Sequence, residues 1–217
     1  MNIRYFFCFK EDKRSSMEML GNYISHGQKK YFKNKVSTYI PKTFFSKFIK
    51  QNNFIMRFER YISYPFQILF LSKSDISHVI DHSYSHLCRF INSSKKVVTI
   101  NDLIPIIFEN KLNRNSLLFK YSISKIKYFD HIVALSKQSK KDLVKYTKVN
   151  PSKISVVYPE VEACFNVKKV SKSVSIKKFK LPIDKKKIIC FDTSFYKNFS
   201  YSYSIFKKML KFNNNII

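Results

Sequence analysis

The residues best suited to bind a ligand are six polar side chains, each following a predicted β-strand. They are Asp81, His82, Asn101, Asp102, Ser136 and Glu160. The carboxyl ends of parallel strands gather at one edge of a sheet, and the ligand crevice of an open α/β sheet lies outside that edge. The chemistry expected of these side chains is therefore ligand binding in one shared cleft.

Two of these residues have a second interpretation, because Ser and Asp often cap the helix that follows a strand. Ser136 directly precedes a predicted helix, so capping and ligand binding are equally open for it. Asp102 stands in the segment INDLIP, residues 100–105, which does not begin a helix directly. Ligand binding is therefore favoured more for Asp102 than for Ser136.

His78, His82 and His86 are four residues apart, which on an α-helix would place three imidazoles on one face. Three such side chains could bind Zn²⁺. The segment ISHVI at residues 76–80 predicts a β-strand, however, so the three would not share a face. The spacing therefore favours one strand histidine and two loop or helix histidines, and we expect no metal site.

The two glycines, Gly21 and Gly27, exclude the glycine-rich loops that cradle dinucleotides or nucleoside triphosphates. The net charge is +27, from 41 Lys and Arg against 14 Asp and Glu. Such a charge attracts phosphates, acidic polymers and anionic membranes. Lys, Asn, Ile, Phe, Tyr and Ser are in excess together, as A+T-rich codons would produce. Compositional drift therefore explains most of the charge, and a selected polyanion site is the alternative.

The four cysteines, Cys8, Cys88, Cys164 and Cys190, include no CxxC pair. Their spacing predicts neither a zinc knuckle nor a disulfide framework, so we expect reduced thiols in a cytoplasmic protein. The apolar stretch at the start of the chain is too short for a signal peptide, and no later apolar run approaches a membrane span. We expect no cofactor.

The elements that must position these residues alternate regularly. Short apolar strands are predicted at residues 2–9, 36–40, 76–80, 96–100, 131–135, 154–158 and 186–191. Amphipathic helices are predicted at residues 17–31 after a capping box at 15–18, 54–71 with a kink or break at Pro65, 84–91, 116–128, 139–148 and 203–212. This alternation predicts an α/β fold, a Rossmann-like parallel sheet with helices on both faces.

The alternation stops at residues 166–185, where a stretch rich in Lys, Ser and Val predicts a linker. We therefore expect a first domain at 1–165 and the start of a second domain at 186–217. One strand and one helix cannot bury a core, so the second domain is predicted to be incomplete unless another chain completes it.

Four runs of residues resemble glycosyltransferase family 4 in order and spacing. They are DISHVIDH at 75–82, VVTINDLIP at 97–105, FDHIVALS at 129–136 with KKDL at 140–143, and PSKISVVYPEV at 151–161. The resemblance implies the GT-B architecture, in which two Rossmann-like domains face each other across a cleft. The first domain is similar to the amino-terminal one, which holds the acceptor. The six strand-end residues are thus implied to lie on the acceptor side of the cleft.

Residues 186–198, KKIICFDTSFYKN, are similar to the strand and turn that open the donor-binding domain of this family. On this match Lys197 is implied to reach the donor diphosphate, a role that suits its compact ammonium group. The implied reaction transfers a hexose from a nucleotide sugar to a glycan or lipid-linked acceptor. Basic side chains and helix N-termini, rather than a metal ion, would stabilise the diphosphate leaving group.

Four features depart from the family pattern. Asn101 replaces the usual histidine of the strand-end motif, Asp192 replaces a glycine of the donor-domain turn, and residues 11–14, EDKR, replace a glycine-rich loop. The chain also ends before the E-x7-E segment that grips the donor sugar. We therefore expect a truncated form or one half of a split enzyme, completed by a separate carboxy-terminal half and without turnover on its own.

A second class of function stays open, a non-catalytic basic module that binds a polyanionic glycan, a membrane or, without sequence specificity, nucleic acid. For a membrane, the predicted contact residues are Tyr61, Tyr64 and Phe66 beside Arg57 and Arg60. The favoured alternative is that these aromatic side chains form a stripe facing the core, with the arginines in solvent. The resemblance favours the membrane, because many relatives use lipid-linked acceptors at its inner face. The expected location is therefore cytoplasmic, with peripheral contact to the inner membrane face.

Overall fold

The computed structural model describes residues 1–45, 53–109, 117–159, 172–183, 185–186, 188 and 197–212. The chain forms two compact units, Met1–Glu160 and Val161–Ile217. Within the described ranges, none of the helices is both long enough and apolar enough to span a membrane.

The first unit contains one six-stranded sheet in which neighbouring strands are parallel. Its strands are β1 (Asn2–Phe6), β2 (Lys35–Tyr39), β3 (Ser74–Val79), β4 (Ser93–Ile100), β5 (His131–Ala134) and β6 (Ile154–Val156). Across the sheet the order is β2-β1-β3-β4-β5-β6. This Rossmann-like arrangement confirms the predicted fold class.

Helical segments connect the strands, because a parallel neighbour must start again from the same edge of the sheet. The α-helices described in the first unit are α1 (Ser15–Phe32), α2 (Asn53–Phe58), α3 (Tyr64–Leu69), α4 (Ile104–Ile107), α5 (Leu117–Ser124) and α6 (Lys137–Thr147). Short 3-10 segments lie at Lys10–Asp12, His82–Arg89, Ile126–Tyr128 and Pro151–Lys153. A π-helical turn, Glu59–Ser63, joins α2 to α3.

The larger part of the core lies on the sheet face that carries Phe6, Val79, Val98, Ile132 and Ile154. Alternate residues of a strand point to the same face, so apolar residues at every second position are buried together. Side chains of α3, α5, α6 and the segment His82–Arg89 cover this face. They include Tyr64, Ile68, Tyr84, Leu87, Ile123 and Leu143.

Helix α1 packs on the opposite face, against Ile3, Tyr5, Phe7 and Ile80. Gly21 is a point of close approach, because a Cβ there would lie 2.6 Å from Cε1 of Phe7 and 3.3 Å from Cγ1 of Ile80. The helix therefore lies this near to the sheet only because the residue has no side chain.

The segment 53–69 is helical along its length, although its sequence predicts a kink or break at Pro65. In the π-helical turn the N–H of Tyr64 donates to the carbonyl of Glu59, five residues earlier. The chain then enters α3 with Pro65 in the first turn, where the missing N–H is tolerated. The predicted interruption thus takes the form of a π turn rather than a gap.

Two local predictions are wrong. β1 ends at Phe6 rather than at residue 9. Phe7 and Phe9 are nevertheless buried, so packing in the loop rather than strand pairing accounts for their apolar character. The capping box does not form, because α1 begins at Ser15 and its N-cap residue, Arg14, makes no side-chain cap.

The second unit contributes α7 (Lys172–Phe179) and α8 (Phe199–Phe212). Helix α7 lies in the stretch 166–185 whose composition predicts a linker, so part of that stretch is helical. Of the strand predicted at 186–191, only residues 186 and 188 are described and the rest lies outside the described residues. The domain boundaries at 165 and 186 therefore stay a prediction.

We expect Gly21→Ala and Gly27→Ala to change stability in opposite directions. Alanine favours a helix over glycine by about 1 kcal/mol, and a Cβ at Gly27 would meet nothing nearer than Tyr31 Cδ2 at 4.0 Å. At Gly21 the methyl group would overlap the buried Phe7 ring, and overpacking costs about 1–3 kcal/mol. Urea unfolding followed by circular dichroism measures both effects. A rise in stability for both variants would contradict the close approach of α1 to β1.

Acid should destabilise the first unit through His78. Its ring lies 5.4 Å from that of Tyr5, and its Nε2 lies 2.8 Å from Oγ1 of Thr99. Burial, together with the charge of His131, lowers the pKa of His78 from 6.5 to about 4. As the pH falls, His78 is therefore protonated in the unfolded chain before it is protonated in the folded one. Its contribution to the free energy of unfolding is complete above pH 6.5 and is lost as the pH drops from 6.5 to 4.

The loss through His78 should reach about 3 kcal/mol. His78→Gln keeps a polar group that can reach Thr99 but does not titrate, so its unfolding free energy should fall less over the same pH range. His86, whose pKa burial also lowers to about 4, contributes equally to both proteins. Urea unfolding above pH 6.5 and near pH 4 makes the comparison. Equal losses in the two proteins would refute the role of His78.

Candidate functional site

The topology creates a crevice between β1 and β3. β2 lies on the outer side of β1, and the chain then returns to β3 on the inner side. Helix α1, which follows β1, packs on one face of the sheet, whereas His82–Arg89, which follows β3, packs on the other. Because the two connections leave on opposite faces, a gap opens between them at the edge of the sheet. Ligands of open α/β sheets bind at such a point.

Asp81 follows β3 at this crevice and is buried. Its carboxylate accepts hydrogen bonds from the backbone N–H of Ser83 at 2.8 Å and from the Arg14 guanidinium, and the Cys8 thiol lies 3.5 Å away. Burial opposes ionisation, but His82, Arg14 and Ser83 outweigh that effect and lower the pKa of Asp81 to about 2. Asp81 is therefore a buried anion paired with Arg14.

A second ion pair fills the crevice beside the first. Arg60, from the π-helical turn, places Nη2 2.6 Å from Oδ1 of Asp12 in the loop after β1. The Tyr84 hydroxyl donates to the same carboxylate, and the Arg60 guanidinium lies 5.0 Å from the centre of the Tyr84 ring. Burial opposes the charge of Arg60, but Tyr84 and Asp12 outweigh it and raise the pKa.

The space left in this crevice is small. A cavity of about 20 Å³ lies beside Cys8 and has room for one water molecule. Burial and the charge of Asp81 raise the pKa of the Cys8 thiol far above its usual value, so the thiol is protonated and unreactive at neutral pH. In the part of the crevice that the structure describes, both arginines are thus paired with the protein's own carboxylates.

Unpaired polar atoms lie at the neighbouring edge, where β3 and β4 end. Five buried side-chain atoms of the described residues make no hydrogen bond: Oγ of Ser37 and Oε2 of Glu59 elsewhere, and Nδ1 of His82, Oγ of Ser83 and Oδ1 of Asn101 at this edge. The nearest carboxylate oxygen of Asp81 is 3.8 Å from Nδ1 of His82, beyond hydrogen-bond distance. Proteins pair nearly all of their buried polar atoms, so three unpaired ones at a strand-end edge mark a place that a ligand can complete.

His82 is an uncharged group of this edge. Burial lowers the pKa of His82 below 6.5 and outweighs the carboxylates of Asp81 and Asp102, which act in the opposite direction. A neutral imidazole has one nitrogen that donates and one that accepts a hydrogen bond. The ring stands edge-on to Phe119, with 5.5 Å between the ring centres, so packing restrains its orientation.

Asn101 and Ser136 are connected through Ser139. The Ser139 hydroxyl donates to the backbone carbonyl of Asn101, and the Ser139 N–H donates to Oγ of Ser136 at 2.9 Å. Ser136 is therefore the N-cap residue of α6, which is the capping role left open above. Asp102 accepts from the N–H of Ile104 at 3.0 Å, while Leu103 is the N-cap residue of α4.

The structure brings most of the strand-end residues to one edge of the sheet. Those at the edge are Asp81, His82, Asn101, Asp102 and Ser136. Glu160 lies outside the described residues. Lys197 belongs to the second unit, two residues before α8, and its contact with a donor stays a prediction.

The sequence pattern did not reveal the residues that fill the crevice, namely Cys8, Asp12, Arg14, Arg60 and Tyr84. A signal existed for Asp12 and Arg14, because they follow β1 as Asp81 follows β3. Arg60 and Tyr84 gave no such signal, since both lie inside helical segments.

The histidines spaced four residues apart have separate partners. His78 is bonded to Thr99, whereas His86 is bonded to the Ser122 hydroxyl at 3.1 Å and the Arg60 carbonyl at 2.9 Å. Over the ranges that the structure describes, no three potential metal ligands of the His, Cys, Asp or Glu type form a group.

The membrane contacts proposed from the sequence need correction at three positions. Tyr64 is fully buried and its hydroxyl donates to the Phe7 carbonyl at 2.7 Å. Arg60 is held in the crevice by Asp12, and the Tyr61 hydroxyl donates to the Leu118 carbonyl at 2.9 Å. The α-helical periodicity assumed for these residues does not hold across the π-helical turn.

No protein-family model matches this chain, and no curated protein matches it either. The resemblance to glycosyltransferase family 4 therefore rests on the four runs of residues and on where the fold places them. The runs beginning at 75, 97, 129 and 151 contain β3 without its first residue, the second half of β4, β5 and β6 respectively.

Asp81→Asn should destabilise the protein far more than Asp102→Asn. The new amide at position 81 can still accept from Ser83 but leaves Arg14 without its opposing charge, and a partly exposed arginine should cost about 2 kcal/mol. At position 102 an asparagine oxygen still accepts from Ile104, so the change should stay within about 0.5 kcal/mol. Guanidinium unfolding at neutral pH compares the two variants. Similar losses in both would show that the Arg14–Asp81 pair does not stabilise the fold.

Proposed function

We propose that the first unit is the acceptor-binding half of a glycosyltransferase similar to family 4, which transfers a hexose from a nucleotide sugar to a glycan or lipid-linked acceptor. The observation that carries this proposal is the group of unpaired, buried polar atoms on His82, Ser83 and Asn101. A sugar hydroxyl both donates and accepts hydrogen bonds and carries no charge, so it complements these three groups.

The order of strands supports this proposal. The four runs that resemble the family fall on β3, β4, β5 and β6, which are consecutive neighbours in the sheet. The described strand-end residues, from Asp81 to Ser136, therefore lie along one edge, although they are spread over more than fifty positions of the chain. An acceptor lying along this edge would meet residues from several of the runs at once.

The paired charges beside the proposed acceptor site favour a neutral ligand there. Arg14 and Arg60 are each paired with a buried carboxylate, so neither guanidinium is available to a diphosphate. In the proposed reaction the acceptor hydroxyl, held at the edge of β3 and β4, forms a bond to the anomeric carbon of the donor. The bond from that carbon to the diphosphate breaks, and the hydroxyl proton passes to the leaving diphosphate. Lys197 is the proposed partner for the charge on this leaving group.

A second candidate, a module that binds polyanions, is favoured by one observation on α6. Lys137, Lys140, Lys141 and Lys145 line a groove of about 510 Å³ together with Val144. Lys140 also donates to the Ile154 carbonyl at 2.7 Å. Binding of phosphates or sulfates there would weaken steeply with salt. The two candidates use different surfaces, so single variants separate them.

Removing the Asn101 side chain should weaken acceptor binding without destabilising the protein. Asn101→Ala deletes a buried oxygen that lacks a partner among the described residues, but also the contact of its amide Nδ2 with Sδ of Met17, so stability should stay within about 1 kcal/mol. Loss of one hydrogen bond to the acceptor should weaken binding about ten-fold. The matched control is Asn22→Ala, which removes an exposed asparagine on α1.

The probes are alkyl glycosides of glucose, galactose, mannose and N-acetylglucosamine, each below its micelle concentration. Backbone amide shifts in NMR spectra report binding around Ser83 and Asn101. We expect shifts in the wild type and in Asn22→Ala, and much weaker ones in Asn101→Ala. Shifts with none of the glycosides, or equal shifts in Asn101→Ala, would refute the acceptor site. Heparin binding that Lys141→Glu removes would then favour the polyanion module.

A further inference from the structure

A row of large apolar side chains on the segment 53–70 faces solvent, and we call it the outer row. It consists of Phe54, Phe58, Ile62, Phe66 and Phe70, whose exposed fractions are 73%, 37%, 56%, 62% and 78%. Inward-facing residues of the same segment, Tyr64 and Ile68, are buried in the core. The segment thus carries one apolar side that is covered and another that lies on the surface.

The π-helical turn helps to keep the outer row on one side of the segment. Its members are four residues apart, and in an α-helix positions four apart drift around the axis by about 40° at each step. The wider turn Glu59–Ser63 lies in the middle of the row and reduces this drift. Five large side chains therefore line one side over roughly 24 Å.

The surface around the outer row is apolar and positively charged. Phe44 and Phe45, in the loop after β2, are half exposed, and the Phe45 ring contacts the Phe58 ring edge-on with 5.8 Å between their centres. This loop is fixed to the segment, because the Glu59 carboxylate accepts from the N–H of Phe44 at 2.7 Å and of Phe45 at 2.8 Å.

Charged residues of one sign border the outer row. Lys42, Arg57 and Lys73 are exposed, and the backbone of Lys42 is bonded to Gln67 of the same segment. Between residues 53 and 73 Glu59 is the only acidic residue, and it is buried. No exposed carboxylate of this segment would therefore repel an anionic partner.

We propose that this surface docks on an anionic lipid bilayer, with the outer row among the upper parts of the acyl chains and the three basic residues at the headgroups. Helices that lie in the plane of a membrane interface combine aromatic side chains with flanking Lys and Arg in this way. A second copy of the chain fits less well, because two such surfaces would bring together like charges on chains of net charge +27.

This docking does not depend on the proposed acceptor site. The outer row lies on residues 53–70, whereas the unpaired polar atoms belong to His82, Ser83 and Asn101. Binding of vesicles but of no glycoside would support the membrane proposal and refute the acceptor site. Binding of glycosides but of no vesicles would support the acceptor site and refute the membrane proposal.

The test is co-sedimentation at physiological salt with vesicles of equal parts phosphatidylcholine and phosphatidylglycerol, compared with vesicles of phosphatidylcholine alone. The test variant combines Phe66→Ser with Phe70→Ser. The control combines Tyr31→Ser with Phe32→Ser at the end of α1, where the two rings are 70% and 68% exposed and lysines are also adjacent. All four side chains are exposed, and circular dichroism verifies that both variants fold.

We expect the wild type and the control to pellet with the anionic vesicles, and the test variant to bind them about five-fold more weakly or worse. Pelleting with neutral vesicles should be slight for all three. Equal binding of the test variant and the wild type would overturn the proposal, and so would the absence of binding to anionic vesicles. If sedimentation equilibrium instead finds a dimer that the test variant abolishes, without vesicle binding, the surface belongs to a second copy.

Discussion

Asp81 is a buried carboxylate at which three segments of the chain meet. It follows β3, accepts the N–H of Ser83 in the segment His82–Arg89, and pairs with Arg14 immediately before α1. A buried charge is costly without its partner, so the positions of the three segments depend on one another. This arrangement closes the crevice between β1 and β3 to further anions and leaves the unpaired polar atoms at the edge of β3 and β4.

The sheet could be predicted because its strands are short apolar runs bounded by polar turns. β5 was expected at 131–135 and occupies His131–Ala134, and β3 was expected at 76–80 and occupies Ser74–Val79. The prediction failed where burial has another cause, as in the loop after β1 that contains Phe7 and Phe9. The apolar character of Phe7 and Phe9 correctly predicts their burial, but it does not distinguish strand pairing from loop packing as the cause.

Only part of the candidate site could be read from the pattern. Strand ends locate Asp81, His82 and Asn101, because their common edge follows from the alternation of strands and helices. Arg14 is 67 residues from Asp81 along the chain, and such a pairing depends on how loops pack rather than on local periodicity. The pattern left open whether Tyr64 faces a membrane or the core, and it placed Arg60 in solvent. The structure buries Tyr64 and pairs Arg60 with Asp12, and the π-helical turn changes which residues face inward.

That turn also determines how the chain can change in length. Deleting one residue from Glu59–Ser63 would allow a regular α-helix without rotating the later residues, because the π turn accommodates one residue more than an α-helical turn. A deletion elsewhere in the segment would rotate every later residue by about 100° relative to the earlier ones. Ile68 would then leave the core while Phe66 turned away from Phe58. The turn is thus the place in this segment where the chain can lose a residue and still keep the same side chains facing inward.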